Sequence, residues 1–274
     1  MLTLFTQGFI FTAQRAIAAA LFGILLLLAF ALSASMDGQS FFGFYRYDYL
    51  FFAAVAIQLL MLYFHLETLA EAKVIALFHV MAMVMELILT DPHVGSWQYP
   101  EPAVLKILTV PLFAGFMYSA IGSFFARAIR LFEVSFQKLP PSNHMLCLAI
   151  VSYINFMSKF FIHDLRSILF VWSIAIFWKT KATLRIDQRS YQIPMLLLLV
   201  FLAFLIWIAE NISTFYDIWV YPNQENGWQV VWWGKIGSWY LLLLLSLVLI
   251  LKILGQRDKQ GTWTINTMAN KKGK

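Results

Sequence analysis

The chain has 274 residues, of which 61% are hydrophobic and only 12% charged, with a formal net charge of +6. A soluble domain carries roughly 25% charged residues, so the composition excludes an ordinary soluble fold and points to a polytopic membrane protein. The positive balance is no sign of nucleic-acid binding, because membrane proteins gather Lys and Arg on their cytoplasmic loops; the single cysteine, Cys147, excludes an intrachain disulfide.

Residues 16–32 form an uncharged apolar run behind Arg15. It is longer than the apolar core of a signal peptide, about 7–15 residues, and close to the ~20 residues that cross a bilayer. It is therefore read as a first span, with cleavage near Ser33-Ala34-Ser35 as the alternative. Tyr45-Arg46-Tyr47-Asp48-Tyr49 is an aromatic and charged collar before a second span at 50–64, which contains Gln58. A short polar link at 65–73 precedes a third span at 74–90. The fourth, at 103–125, contains Pro111 and Gly115, and a proline there kinks a helix that its neighbours can still satisfy.

Residues 124–143 carry Arg127, Arg130, Lys138 and Pro140-Pro141 and read as the central loop. The apolar stretch at 145–177 is longer than one crossing needs. Lys159, His163, Asp164 and Arg166 interrupt it, so two short spans around a polar turn are expected. The basic segment 179–189 reads as a loop, 194–209 as a seventh span and 236–254 as an eighth. Residues 255–274 read as a polar, basic, disordered tail.

Eight spans place both termini and the even-numbered loops on one side. That side receives fifteen Lys and Arg against five on the other, so both termini are expected in the cytoplasm. The expected fold is thus an all-α, polytopic transmembrane bundle of about eight spans in the inner membrane, forming one domain over 1–274 apart from the tail.

A short echo runs through this topology. Glu86 is followed by Trp97-Gln98-Tyr99-Pro100, and Glu210 by Trp219-Val220-Tyr221-Pro222, each at the outward end of a long apolar run. The two copies suggest repeat halves of four helices, 1–139 and 140–254, related by an axis along the membrane normal with a site between them. Chance and the aromatic belts of membrane interfaces are the competing explanations.

Glu86 is the strongest candidate for chemistry. It lies about 13 residues past Lys73, roughly 20 Å along a helix, where an ionisable group is costly and functional by default. His79 precedes it by two helical turns on nearly the same face. Such a pair can relay a proton, act as acid and base, or share a metal; each side chain can equally hydrogen-bond a neighbouring helix. Glu210 and Asp164 complete the candidate catalytic set. Trp97, Tyr99, Trp219, Tyr221, Lys106 and Lys235 are the candidate binding residues of an outward polar bowl, whose wall would also include Trp228, Trp232 and Trp233. Tyr118, Ser119 and Ser123 read as helix-contact residues. No phosphate-binding Gly loop, Cys-pair metal spacing or nucleophile elbow occurs, and no metal or cofactor is expected.

The run GSWQYPEPAVLKILTVPLFAGFMYSAIGSF (95–124), with AENISTF, WVYPNQENGW and GKIGSWYLL (within 209–242), resembles the YoaT-type family of bacterial integral membrane proteins. That resemblance implies a multi-pass inner-membrane protein and supplies no activity. Glu86, Gly95, Trp97, Tyr99 and Val110-Pro111-Leu112 also resemble, more weakly, the Glu, Gly, Tyr-x-Tyr and Pro-Leu pattern of membrane carotenoid-biosynthesis hydratases and cyclases; Trp97 stands at one Tyr position.

Three functions follow as expectations. The first is an enzyme on a lipid-soluble, isoprenoid-like substrate, with Glu86 as proton donor and Glu210 as opposing base or cation stabiliser, since apolar walls favour the protonated form of a carboxyl. The second is a transporter of a small solute or protons using the same carboxylates. The third is a non-catalytic scaffold. The expected partners are the lipid bilayer and a lipid-soluble small molecule, with no nucleic acid.

Overall fold

The computed structural model describes residues 2–36, 38–186 and 189–265. They form nine α-helices: α1 (Leu2–Ala19), α2 (Leu21–Leu32), α3 (Arg46–Tyr63), α4 (Leu69–Leu89), α5 (Ala114–Leu131), α6 (Ser142–Ser158), α7 (Arg166–Phe177), α8 (Met195–Phe215) and α9 (Lys235–Leu254). Seven strands accompany them: β1 (Lys106–Ile107), β2 (Val110–Pro111), β3 (Ser135–Gln137), β4 (Lys181–Ile186), β5 (Arg189–Pro194), β6 (Gly255–Arg257) and β7 (Trp263–Ile265).

Three helices are long and apolar enough to cross a membrane: α4, α8 and α9. The bent pair Ile10–Ala19 and Leu21–Met36 raises the number to four if it counts as one span. Among the described residues that makes three to four candidate spans. Helix α7 is apolar and shorter, with 12 residues, roughly 18 Å of helix.

The chain divides into two compact units. One comprises the described residues up to Leu21, Ser123–Phe204, and the described residues from Ile236 onward; the other comprises Phe22–Gly122 and Leu205–Lys235. The break after α1 turns the axis by 70°. Arg127, only 3% exposed, answers it by donating from Nε and Nη2 to the Ala18 carbonyl at 2.9 and 2.6 Å, satisfying a carbonyl left free at a helix end.

The first unit holds a five-stranded sheet ordered β5-β4-β3-β7-β6 with antiparallel pairing throughout. The all-α expectation is corrected here. The basic segment 179–189 contributes β4 and the start of β5, and Ala182, Leu184 and Ile186 alternate with Lys181, Thr183 and Arg185, the period of a strand with two unlike faces. The expected disorder of the tail is corrected as well for 255–265, which supplies β6 and β7; residues 266–274 lie outside the described residues.

The second unit has an aromatic core. Phe113 is fully buried and packs against Phe30, Tyr47 and Tyr99 with ring centroids 6.0, 5.0 and 5.9 Å away. Arg46 is 2% exposed and completely engaged: it donates to Ser33 Oγ, to the carbonyls of Phe30 and Tyr216, and to Glu101 at 2.5 Å. Asp48 accepts from the backbone N–H groups of Tyr45, Val104 and Leu105. The collar read from the sequence is therefore the tie that fastens α3 to the loop following α4.

Candidate functional site

The site lies wholly in the second unit, and the end of α4 builds its first half. A capping box starts that helix: Glu71 N–H donates to Thr68 Oγ1, and Thr68 N–H to the Glu71 carboxylate. Thr90 closes it, with its hydroxyl on the Glu86 carbonyl at 2.8 Å, and Pro92 prevents continuation. Gly95 takes the left-handed conformation, φ +54°, and Ser96 N–H returns to the Leu89 carbonyl at 2.9 Å. The chain thus doubles back along the last turn of α4 in extended form. Alternate residues of such a segment face one way, so Trp97 and Tyr99 both meet Glu86 while Gln98 points outward.

Glu86 is 1% exposed and accepts three hydrogen bonds. Trp97 Nε1–H donates to Oε2 at 2.9 Å, the Tyr99 hydroxyl to Oε2 at 2.8 Å and the Tyr118 hydroxyl to Oε1 at 3.0 Å. Tyr118 reaches it because α5 packs closely on α4 through small residues. Gly115 lies against the His79 ring, Gly122 against Phe78, and the Ser119 hydroxyl donates to the Ile75 carbonyl at 3.2 Å. A Cβ on Gly115 would sit 2.5 Å from the His79 ring, so glycine sets the approach.

The second half repeats the device at the end of α8. Glu210 is 3% exposed and accepts the Tyr221 hydroxyl at 2.5 Å. Asp217 takes φ +52°, and Ile218 N–H closes the helix on the Ser213 carbonyl. The two echoes then pair. Gln98 and Val220 form an antiparallel bridge, with N–H to carbonyl distances of 3.0 and 2.9 Å in the two directions. That register sets Trp97 opposite Tyr221, and their rings lie 6.1 Å apart at 77°.

Lys235, the first residue of α9, places Nζ 4.0 Å from the Tyr221 ring centroid and 5.2 Å from that of Trp97, and its charge reaches Glu86. Burial pushes the Tyr221 hydroxyl well above the ordinary tyrosine range, and the charge of Glu210 adds to this, with that of Glu86 as a lesser contribution. Burial and the Glu86 charge do the same for Tyr99. Beside this cluster opens a cavity of about 500 Å³. Its lining includes Trp97 and Tyr99 together with Thr90, Gln98, Glu101, Lys106, Thr109 and Glu225.

The structure therefore brings together Glu86, Glu210, Trp97, Tyr99, Tyr221 and Lys235. Trp219 is buried in the same ribbon and its side chain bonds Tyr221. Lys106 sits exposed on the cavity lining, apart from the carboxylates. His79 stacks edge-on against Phe116 at 4.6 Å and shares none of the Glu86 hydrogen bonds. Asp164 belongs to the other unit, where it pairs with Arg166 at 2.6 Å and receives Asn155. Trp228, Trp232 and Trp233 are exposed by 41, 68 and 60% and are not part of the cavity lining. Tyr118 was read from the sequence as a helix-contact residue; the signal that places it at Glu86 is the Gly115, Ser119, Gly122 spacing around it. Among the described residues no group of three His, Cys, Asp or Glu stands ready for a metal.

Fold and site together define a mostly helical protein with, among the described residues, three to four candidate membrane-crossing helices, and with two buried carboxylates clamped by aromatic side chains. The chain belongs to the family described as protein of unknown function (DUF817), which matches residues 7–247. It is 39% identical over 217 residues to the uncharacterized protein YoaT of Bacillus subtilis (strain 168), covering 79% of this chain and 81% of that protein. No solved structure matches.

Proposed function

We propose that the protein is a multi-pass carrier of the bacterial inner membrane in which the Glu86 and Glu210 carboxylates exchange protons as a small solute enters the adjoining cavity. One observation carries the reading: Trp97 and Tyr99 are at once part of the cavity lining and donors to Glu86. A solute that shifts either ring withdraws a hydrogen bond from a buried carboxylate and so changes its affinity for a proton. The cavity volume falls within the range of small-ligand pockets, about 300–1,000 Å³, and its hydroxyl, amide and charged lining suits a polar solute.

In this reading α1 and α2 form one bent crossing and α3 to α9 the other seven, with both termini cytoplasmic as the charge count favours. The matching arrangement of a buried Glu at the end of a helix bonded by the Tyr of the following Trp-x-Tyr-Pro turn, seen at Glu86 and at Glu210, supports halves 1–139 and 140–254 as repeats.

The isoprenoid-enzyme reading has one observation in its favour: rings that hold the Lys235 ammonium would also stabilise a carbocation. Against it, the adjoining cavity carries hydroxyl, amide and charged side chains in its lining, Thr90, Gln98, Glu101 and Lys106 among them. Uptake of a panel of small amines, amino acids and sugars into proteoliposomes under a pH gradient separates the two. The carrier is expected to accumulate at least one solute, and Glu86→Gln or Glu210→Gln to abolish it. No accumulation by the wild type, together with a polyene retained in its lipid extract, would replace the carrier with the enzyme.

A further inference from the structure

We infer that the ligand of this site is a small organic ammonium ion, and that Lys235 is its tethered stand-in. The inference deepens the carrier reading and rests on it for the route of entry through the cavity. The Lys235 ammonium already occupies a cation cage: its Nζ lies over the faces of Tyr221 and Trp97, both inside the ~6 Å reach of cation–π attraction. The rings stand nearly perpendicular and so form two adjacent walls.

Both walls are fixed in advance. The Trp97 indole N–H is committed to Glu86 and the Tyr221 hydroxyl to Glu210, so the same bonds that orient the rings hold two carboxylates behind them. This is the composition expected of an ammonium receptor: aromatic faces in front and buried anions behind.

Helix formation does not account for a lysine at that position. Lys235 opens α9, whose first turn contains no acidic residue, and a cation at a helix N-terminus opposes the macrodipole. The cage compensates that unfavourable placement. Trp97 is the member of the cage that also lines the cavity, while Tyr221 and Lys235 lie behind it; a free ammonium arriving there reaches the cage through Trp97, in competition with Lys235.

A tethered group competes at an effective concentration in the millimolar range for a short tether, so removing it should tighten binding of a free ammonium by about tenfold. The probes are methylammonium and tetramethylammonium chloride, titrated against tryptophan fluorescence of the purified full chain at constant ionic strength. Lys235→Ala is expected to bind methylammonium about tenfold more tightly than the wild type, and adding Trp97→Leu or Glu86→Gln to Lys235→Ala is expected to remove the gain. Thermal unfolding of each variant confirms that the fold persists, and calorimetry replaces fluorescence for the Trp97 variant. Equal affinity in Lys235→Ala and wild type, or a gain that survives Trp97→Leu, would overturn the inference. The carrier reading fails separately: pH-driven uptake of a neutral or acidic solute by a protein blind to ammonium sinks only the ligand class, whereas ammonium binding without any uptake sinks only the carrier.

Discussion

Two Arg–Glu pairs of the same chemistry sit in opposite settings. Arg46–Glu101, in the unit that carries the site, has side chains only 3 and 7% exposed. Arg185–Glu133, in the unit that carries the sheet, has side chains 56 and 57% exposed at a separation of 3.2 Å. The first also bonds Ser33 and two carbonyls from distant segments; the second joins two neighbouring solvated side chains. The difference between these two pairs follows from the exclusion of water, because a desolvated ion must find every partner within the protein.

The largest test breaks the buried pair. Arg46→Met removes the guanidinium and leaves Glu101 without its counter-charge, which costs about 3–5 kcal/mol when a buried pair loses one member; thermal unfolding in detergent measures it. A loss no larger than that of an exposed pair would erase the contrast between the units.

A smaller, pH-dependent effect sharpens the same contrast. Tyr99 and Tyr221 are held protonated by burial and by the carboxylates they bond, so their folded pKa values lie above the unfolded value of 10.0. Stability from these groups is intact below pH 10 and is lost as pH rises beyond it, because only the unfolded chain releases the protons readily. Tyrosinate absorbance from this pair should thus appear only together with unfolding. Simultaneous ionisation of all tyrosines in a folded sample would contradict the burial of the site.

The smallest effect is expected at the exposed pair. Glu133→Ala should change stability by less than about 1 kcal/mol, and added salt should shrink even that. A loss comparable to Arg46→Met would show that the sheet depends on that ion pair.

What the sequence disclosed follows the same division. Glu86 and Glu210 were legible because a carboxylate stands out in an apolar run, and the Trp-x-Tyr-Pro echo marked the segments that meet across Gln98 and Val220. The Arg46–Glu101 pair was not legible: its members lie 55 residues apart, and nothing in either neighbourhood names the other. Tyr118 looked like packing because a helical tyrosine carries no local sign of what its hydroxyl meets. The sheet escaped notice for another reason. Lys181, Arg185 and Arg189 gave the segment the charge of a loop and hid the alternation of Ala182, Leu184 and Ile186 beneath it.

The order in which the chain leaves the ribosome gives the clamp around Glu86 a further meaning. Its three donors follow it by 11, 13 and 32 residues, so the acid can be sheltered once α5 has been made, long before α8 exists. Glu210 finds the Tyr221 hydroxyl 11 residues downstream and is likewise sheltered locally. The Gln98–Val220 bridge, the Arg46 bond to the Tyr216 carbonyl and the Trp97–Tyr221 ring contact must wait for both. Each acid can thus travel through biogenesis in its own wrapping, and the contacts between the two segments, the main-chain bridge among them, form after both have been made.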